Sequence, residues 1–221
     1  MLRAQLLSLA TSPERVGWFS DALQQAVEYC DDETIGELLN YNDLKERIDS
    51  SNELRWTAIH RAADHGSLQV VTRLWEAGLT HSVNVSSPDH RSPLFMASSH
   101  GFAGIAEFLI TKGARVADVN GSSERTALHI ASHHGHWRTS RILLDRQANL
   151  TATDTEGNFS LHLAIRQRHI RVAELLVENF SDLLAASHAS DHNTAAMLRS
   201  ERGTIINFSD EDLLSPPLNK R

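Results

Sequence analysis

The chain is poor in the residues that covalent staples, membranes and polyanions call for. It has one cysteine in 221 residues. Cys30 cannot close an internal disulfide, so nothing in the sequence asks for an oxidising compartment. No apolar run approaches the roughly 18 residues of a membrane-spanning helix. Positive charge is scarce as well: 21 basic against 28 acidic residues leave a net charge of -7, the wrong sign for bulk attraction to nucleic acid or anionic lipid. Also missing are G-x-S-x-G, H-E-x-x-H and any glycine-rich phosphate loop, the usual marks of hydrolases, zinc peptidases and nucleotide-binding enzymes. What is present is a composition of 41% hydrophobic and 22% charged residues, enough to build a core and too balanced for disorder. The expectation is a soluble, intracellular protein of one domain or one short array. Residues 1–20 read as an N-terminal arm with a short helix packing Leu2, Leu6 and Leu9, because Gln5 and Ser8 break what a signal peptide needs. Six Asn-x-Ser/Thr sequons matter only in a secretory context and are read as incidental.

Internal repetition decides the architecture. Four segments align without gaps: Thr57-Ala-Ile-His60-Arg-Ala-Ala63, Ser92-Pro-Leu-Phe95-Met-Ala-Ser98, Thr126-Ala-Leu-His129-Ile-Ala-Ser132 and Phe159-Ser-Leu-His162-Leu-Ala-Ile165. Their first residues, at 57, 92, 126 and 159, stand 35, 34 and 33 apart. Each reaches a turn column holding Gly66, Gly101, Gly135 or Arg168. Four residues further come Val70, Ile105, Thr139 and Val172, then the pairs Leu74-Trp75, Leu109-Ile110, Leu143-Leu144 and Leu176-Val177. A Thr or Ser at the opening position is a good helix N-cap, and Pro93 fits a first helical position. The alanines let helices approach closely, and the turn residue lets a second amphipathic helix fold back. No unit of this size can bury its own apolar face, so the units must stack.

A period of 33 to 35 residues carrying T-P-L-H-x-A resembles the ankyrin repeat. The resemblance covers about residues 54 to 185 and implies an all-α fold, an ankyrin-repeat solenoid of helix-turn-helix-hairpin units with degenerate capping repeats at both ends. The boundaries expected are a degenerate N-terminal cap at 21–51, full repeats at 52–86, 87–121, 122–153 and 154–188, a degenerate C-terminal cap at 189–208 and a tail at 209–221. Cys30 takes the turn-glycine position of the first cap, as a small buried thiol. The hairpin pattern Asp-x-x-Gly survives as Asp154-Thr-Glu-Gly157. Arg55, His90 and Glu124 stand where the other repeats would have that glycine, which leaves the shape of those tips open, and the first two connections, including Val83 to Ser87, are expected to bulge. Arg168 is a similar departure at the fourth turn.

Thirteen histidines invite a metal or catalytic reading. The resemblance absorbs eight: His60, His129 and His162 in the T-P-L-H column, where the family bonds the ring between neighbouring repeats, His65, His100 and His134 before the turn, and His136 and His169 after it. His133-His134-Gly135-His136 is the strongest metal candidate, but adjacent residues at a helix end splay apart and no carboxylate or cysteine completes a known zinc spacing. A zinc-dependent hydrolase using His133, His134 and His136 is therefore a remote alternative. Neither a catalytic residue nor a cofactor is expected.

In ankyrin arrays, the resemblance implies, targets bind a concave face made of the hairpin tips and the exposed side of each first helix. The contact columns here hold Trp56, Arg91, Arg125 and Asn158 before the openings, and Asp64, His65, His100, His133 and Arg166 before the turns. Trp and Arg are enriched among interface hot spots. A second cationic face, Arg138 with Arg171, lies at the start of the second helices and is read as a solvated surface. The function expected is that of a stand-alone, non-enzymatic adaptor or regulatory subunit, monomeric by itself and cytoplasmic or nuclear, holding a protein partner and neither nucleic acid nor membrane. The alternative is a transcriptional coregulator or pathway-cluster accessory protein acting through a bound transcription factor.

Overall fold

A computed structural model describes residues 23, 25–27, 29, 32–39, 57–78, 81–87 and 90–186. The N-terminal arm, Cys30, Arg55, Trp56, the C-terminal cap and the tail lie outside the described residues. Nine α-helices and one 3-10 helix are found among the described residues. We label the α-helices α1 (Asp32–Leu39), α2 (Ala58–His65), α3 (Leu68–Glu76), α4 (Pro93–His100), α5 (Ala103–Thr111), α6 (Ala127–His133), α7 (Trp137–Asp145), α8 (Ser160–Arg166) and α9 (Ile170–Ala186).

The helices form two layers. The inner helices α2, α4, α6 and α8 pack on one another in sequence, and the outer helices α3, α5, α7 and α9 do the same behind them. The aligned leucines of the outer layer, Leu74, Leu109, Leu143 and Leu176, are all fully buried at 0% exposure. Their sequence neighbours Trp75, Ile110, Leu144 and Val177 are only half-buried at its edge. The alanines Ala62, Ala97, Ala131 and Ala164 are likewise fully buried between inner helices. One continuous core runs through all four units and takes in Ile35 and Leu38 of α1, as well as Leu23, Ala26 and Val27. The core thus extends into the region read as a degenerate N-terminal cap.

Local chemistry explains each start and stop. Ser92 Oγ accepts from the Phe95 amide at 3.2 Å, and Pro93 follows at a position whose N–H needs no partner. Thr57 and Thr126 cap α2 and α6. The fourth unit differs: Phe159 occupies its N-cap and Ser160 lies inside the helix. There the Phe159 amide donates to His162 Nδ1 at 2.9 Å, and the two rings stack 5.2 Å apart. At the turns, Gly101 and Gly135 hold φ of 75° and 76°. A Cβ on either would lie 2.5 Å from the ring of His136 or His169 in the next repeat. These turns therefore need glycine twice, for the left-handed backbone and for the ring laid against it.

The departures at the turns keep the positive φ that glycine would supply. His90 and Glu124 adopt φ of 56° and 52°, close to the 77° of Gly157, and Arg168 adopts 59°. In each of these hairpins an oxygen-bearing side chain holds the backbone. Ser87 Oγ accepts from the Arg91 amide at 3.1 Å, Asn120 Oδ1 from Arg125 at 2.8 Å and Asp154 Oδ1 from Asn158 at 2.9 Å. The connection before the second repeat makes a 3-10 turn over His81–Asn84, and the hairpin from Asn120 to Arg125 is one residue longer than the two flanking it.

Candidate functional site

The inner layer and its hairpins are tied together by imidazoles. His60 Nδ1 accepts from the amide and hydroxyl of Thr57, at 3.3 and 2.8 Å. Its Nε2 meets the Arg91 carbonyl at 3.1 Å, an acceptor only, so the neutral Nε2–H tautomer satisfies every partner. His129 repeats the arrangement with Thr126 and the Asn158 carbonyl, at 3.1 Å for the latter. Each ring thus caps its own helix and holds the next hairpin. Phe95 fills the same column in the second repeat as a buried side chain. Burial pushes His60 down to about 4, with backbone hydrogen bonds opposing it in part, and burial lowers His129 as well. A second row lies at the turns, where His136 Nε2 donates to the Ser99 carbonyl at 2.9 Å and His169 Nε2 to the His133 carbonyl at 3.0 Å.

These bonds bear on the metal alternative. The ring centroids of His133 and His134 are 4.9 Å apart, and those of His134 and His136 5.9 Å. His136 has its Nε2 turned to a carbonyl of the preceding repeat. Among the described residues no three His, Cys, Asp or Glu side chains are placed to hold a metal ion. This geometry gives the zinc-hydrolase reading no support.

Of the contact-column residues, Arg91, His65, His100 and Arg166 are exposed, and Asp64 and His133 are half-buried. His100 Nε2 reaches back one repeat to Asp64 Oδ1 at 2.9 Å. Arg166 lies 3.5 Å from Glu156. Arg125 and Asn158 are more deeply engaged. Arg125 Nε donates to Asp154 Oδ2 at 3.2 Å, and Asn158 donates to Asp154 from its backbone and its side chain. Asp154 is only 4% exposed. Burial alone would raise its pKa, but the hydrogen bonds from Asn158 and Arg125 outweigh that and hold it below the ordinary carboxylate value. Arg125 thus joins adjacent hairpins, a role missed when its column alone was read. Arg125 and Asp154 stand 29 residues apart, and no local pattern links them. The Arg138/Arg171 face has its own centre: Trp137, with the guanidinium carbons of Arg171 and Arg141 at 5.2 and 5.7 Å from its ring.

This two-layered stack, with imidazole rungs between units and a hairpin at each junction, is what a family model for ankyrin repeats matches over residues 23–120 and 116–187. The chain belongs to the ankyrin-repeat family. It is 29% identical over 208 residues to the ankyrin repeat domain-containing protein SAT10 of Stachybotrys chartarum, covering 86% of this chain and 10% of that one. It is 29% identical over 139 residues to the E3 ubiquitin-protein ligase KEG of Arabidopsis thaliana, covering 62% and 8%. With inversin of Gallus gallus it shares 32% over 125 residues, covering 56% and 11%. The chain therefore spans about a tenth of the length of these relatives. Ankyrin repeats are protein–protein interaction modules in general, and among the described residues no helix is long and apolar enough to cross a membrane.

Proposed function

We propose that this ankyrin array is a non-enzymatic adaptor or regulatory module that holds a protein partner on its concave inner face. The observation that carries the reading is the division of labour within the inner layer. His60, His129, His136 and His169 are spent on bonds between repeats, which fixes a rigid scaffold. Arg91, His65, His100, His134 and Arg166 project from it on the exposed side. Rigid presentation of exposed Arg and His lowers the ordering cost of binding. Catalysis has no comparable support, since the hydroxyl–imidazole pairs of this layer, Thr57 with His60 and Thr126 with His129, are buried inside helix caps.

The test compares two variants for partner capture from source cells, each first shown to fold. One carries His65→Ala, Arg91→Ala and Arg166→Ala on the inner face; the other carries Arg138→Ala and Arg171→Ala on the outer helices. A partner kept by the outer-face variant and lost by the inner-face variant supports the proposal, and its identity separates an adaptor from a coregulator. Loss with the outer-face variant alone refutes it.

A further inference from the structure

We propose that the row of histidines along the inner helices makes this face a proton-linked docking surface for an acidic protein segment, gripped more tightly as the pH falls below neutrality. The inference rests on the concave-face reading and adds the chemistry of the partner.

The histidines at the ends of the inner helices are of two kinds. His136 and His169 are locked into carbonyls of the preceding repeat. His65, His100 and His134 are exposed, one per repeat over three consecutive units, with half-buried His133 beside His134. The column therefore lays an imidazole stripe across the inner face. Around it the carboxylates are mostly engaged already. Asp64 is bonded to His100, Asp154 to Arg125 and Asn158, and Glu156 to Asn158 and Arg166. Among the described residues Glu124, on a hairpin tip, adds an exposed carboxylate. Arg91 and Arg166 add exposed positive charge. A protein whose net charge is -7 thus gathers cations and proton acceptors where a partner would sit.

Electrostatics give the coupling its direction. Burial lowers His134 first, followed by the like charges of His136, His100, His169 and Arg125. Burial lowers His133 in the same way, followed by His134, Arg125, Arg166 and His169. Both shifts favour the neutral ring in the unbound protein. A glutamate- or aspartate-rich chain laid along the stripe supplies the missing counter-charge and favours the protonated ring. Binding then takes up protons. Affinity rises as the pH falls through the values of the bound rings and levels off below those of the unbound rings. Each unit by which a partner raises one imidazole is a tenfold gain in affinity.

The probe is a fluorescein-labelled peptide of alternating glutamate and serine about fifteen residues long, which spans about 50 Å when extended. Its anisotropy is titrated with the full chain at about pH 7.5 and about pH 5.5, both above the glutamate range. Folding at both is checked by circular dichroism. We expect at least tenfold tightening at the lower pH, with proton uptake seen calorimetrically as a dependence of binding heat on buffer ionisation. In the variant His100→Gln, His133→Gln, His134→Gln the tightening falls to about twofold or less. Equal affinity at both pH values overturns the proposal, as does tightening that survives in the histidine variant. Equal binding of a labelled single-stranded oligonucleotide also overturns it, because the face would then be reading charge alone. Failure here with inner-face loss in the capture experiment leaves the concave reading standing. Peptide binding abolished by Arg138→Ala and Arg171→Ala overturns both.

Discussion

Protonating His60 should loosen the array, and the size of the effect follows from its two bonded nitrogens. Folded, the ring is held at about 4 against an ordinary 6.5, because burial disfavours the charged ring more than the backbone hydrogen bonds to Arg91 and Val85 favour it. A lowered histidine value means that the unfolded chain binds the proton first. The stabilising difference is therefore intact above about pH 6.5 and is lost progressively as the pH falls toward the folded value. Between about pH 6.5 and pH 5 the loss is about 1.6 kcal/mol for this one ring, and it approaches about 3 kcal/mol below pH 4. Asp154 does not intrude on the upper window. Its folded value is lowered, so its contribution is present above the unfolded value of 3.8 and is lost only at more acid pH. The assay is urea unfolding followed by circular dichroism at several pH values across that window, for wild type and His60→Gln. Glutamine retains one donor and one acceptor but does not titrate. It should cost about 1–2 kcal/mol at neutral pH through imperfect geometry. The gap between the two proteins should then shrink by about 1.6 kcal/mol toward pH 5. A gap that stays constant across the window would mean that the ring is not held neutral by the fold, and the account of the rungs would be wrong.

Three further outcomes follow from the packing. Gly101→Ala and Gly113→Ala both place a Cβ on left-handed backbone, but only the first meets a ring, that of His136 at 2.5 Å; Gly101→Ala should be the more destabilising by about 1–3 kcal/mol in thermal or denaturant melts. Asp154→Ala removes a buried carboxylate that holds Asn158 and Arg125, and should cost about 2–4 kcal/mol while raising amide exchange in the hairpin from Asp154 to Asn158; unchanged exchange would show that the backbone bonds suffice. Leu143→Ala opens a cavity between fully buried outer helices and should cost about 2–5 kcal/mol, measured by the same urea melts.

The sequence by itself determined the period, the identity of each helix and which side of it is buried. Those properties depend on residues only a few positions apart: a hydroxyl at the N-cap, an alanine one turn on, a glycine at the stop, a leucine column in the second helix. The alignment of Leu74, Leu109, Leu143 and Leu176 in one buried column is a direct consequence of that spacing. Stacking decided the rest. That Arg125 is spent on Asp154, some 29 residues away, depends on how one hairpin lies over the next. The same is true of His100 reaching Asp64 and of His136 lying on Gly101, contacts between repeats that no single repeat encodes. His90, Glu124 and Arg168 make the point most clearly. Each lacks the glycine that its turn favours, and each nonetheless holds a positive φ. Left-handed backbone costs an ordinary residue about 1–2 kcal/mol, and burial shared between adjoining repeats outweighs that cost where local preference alone would not.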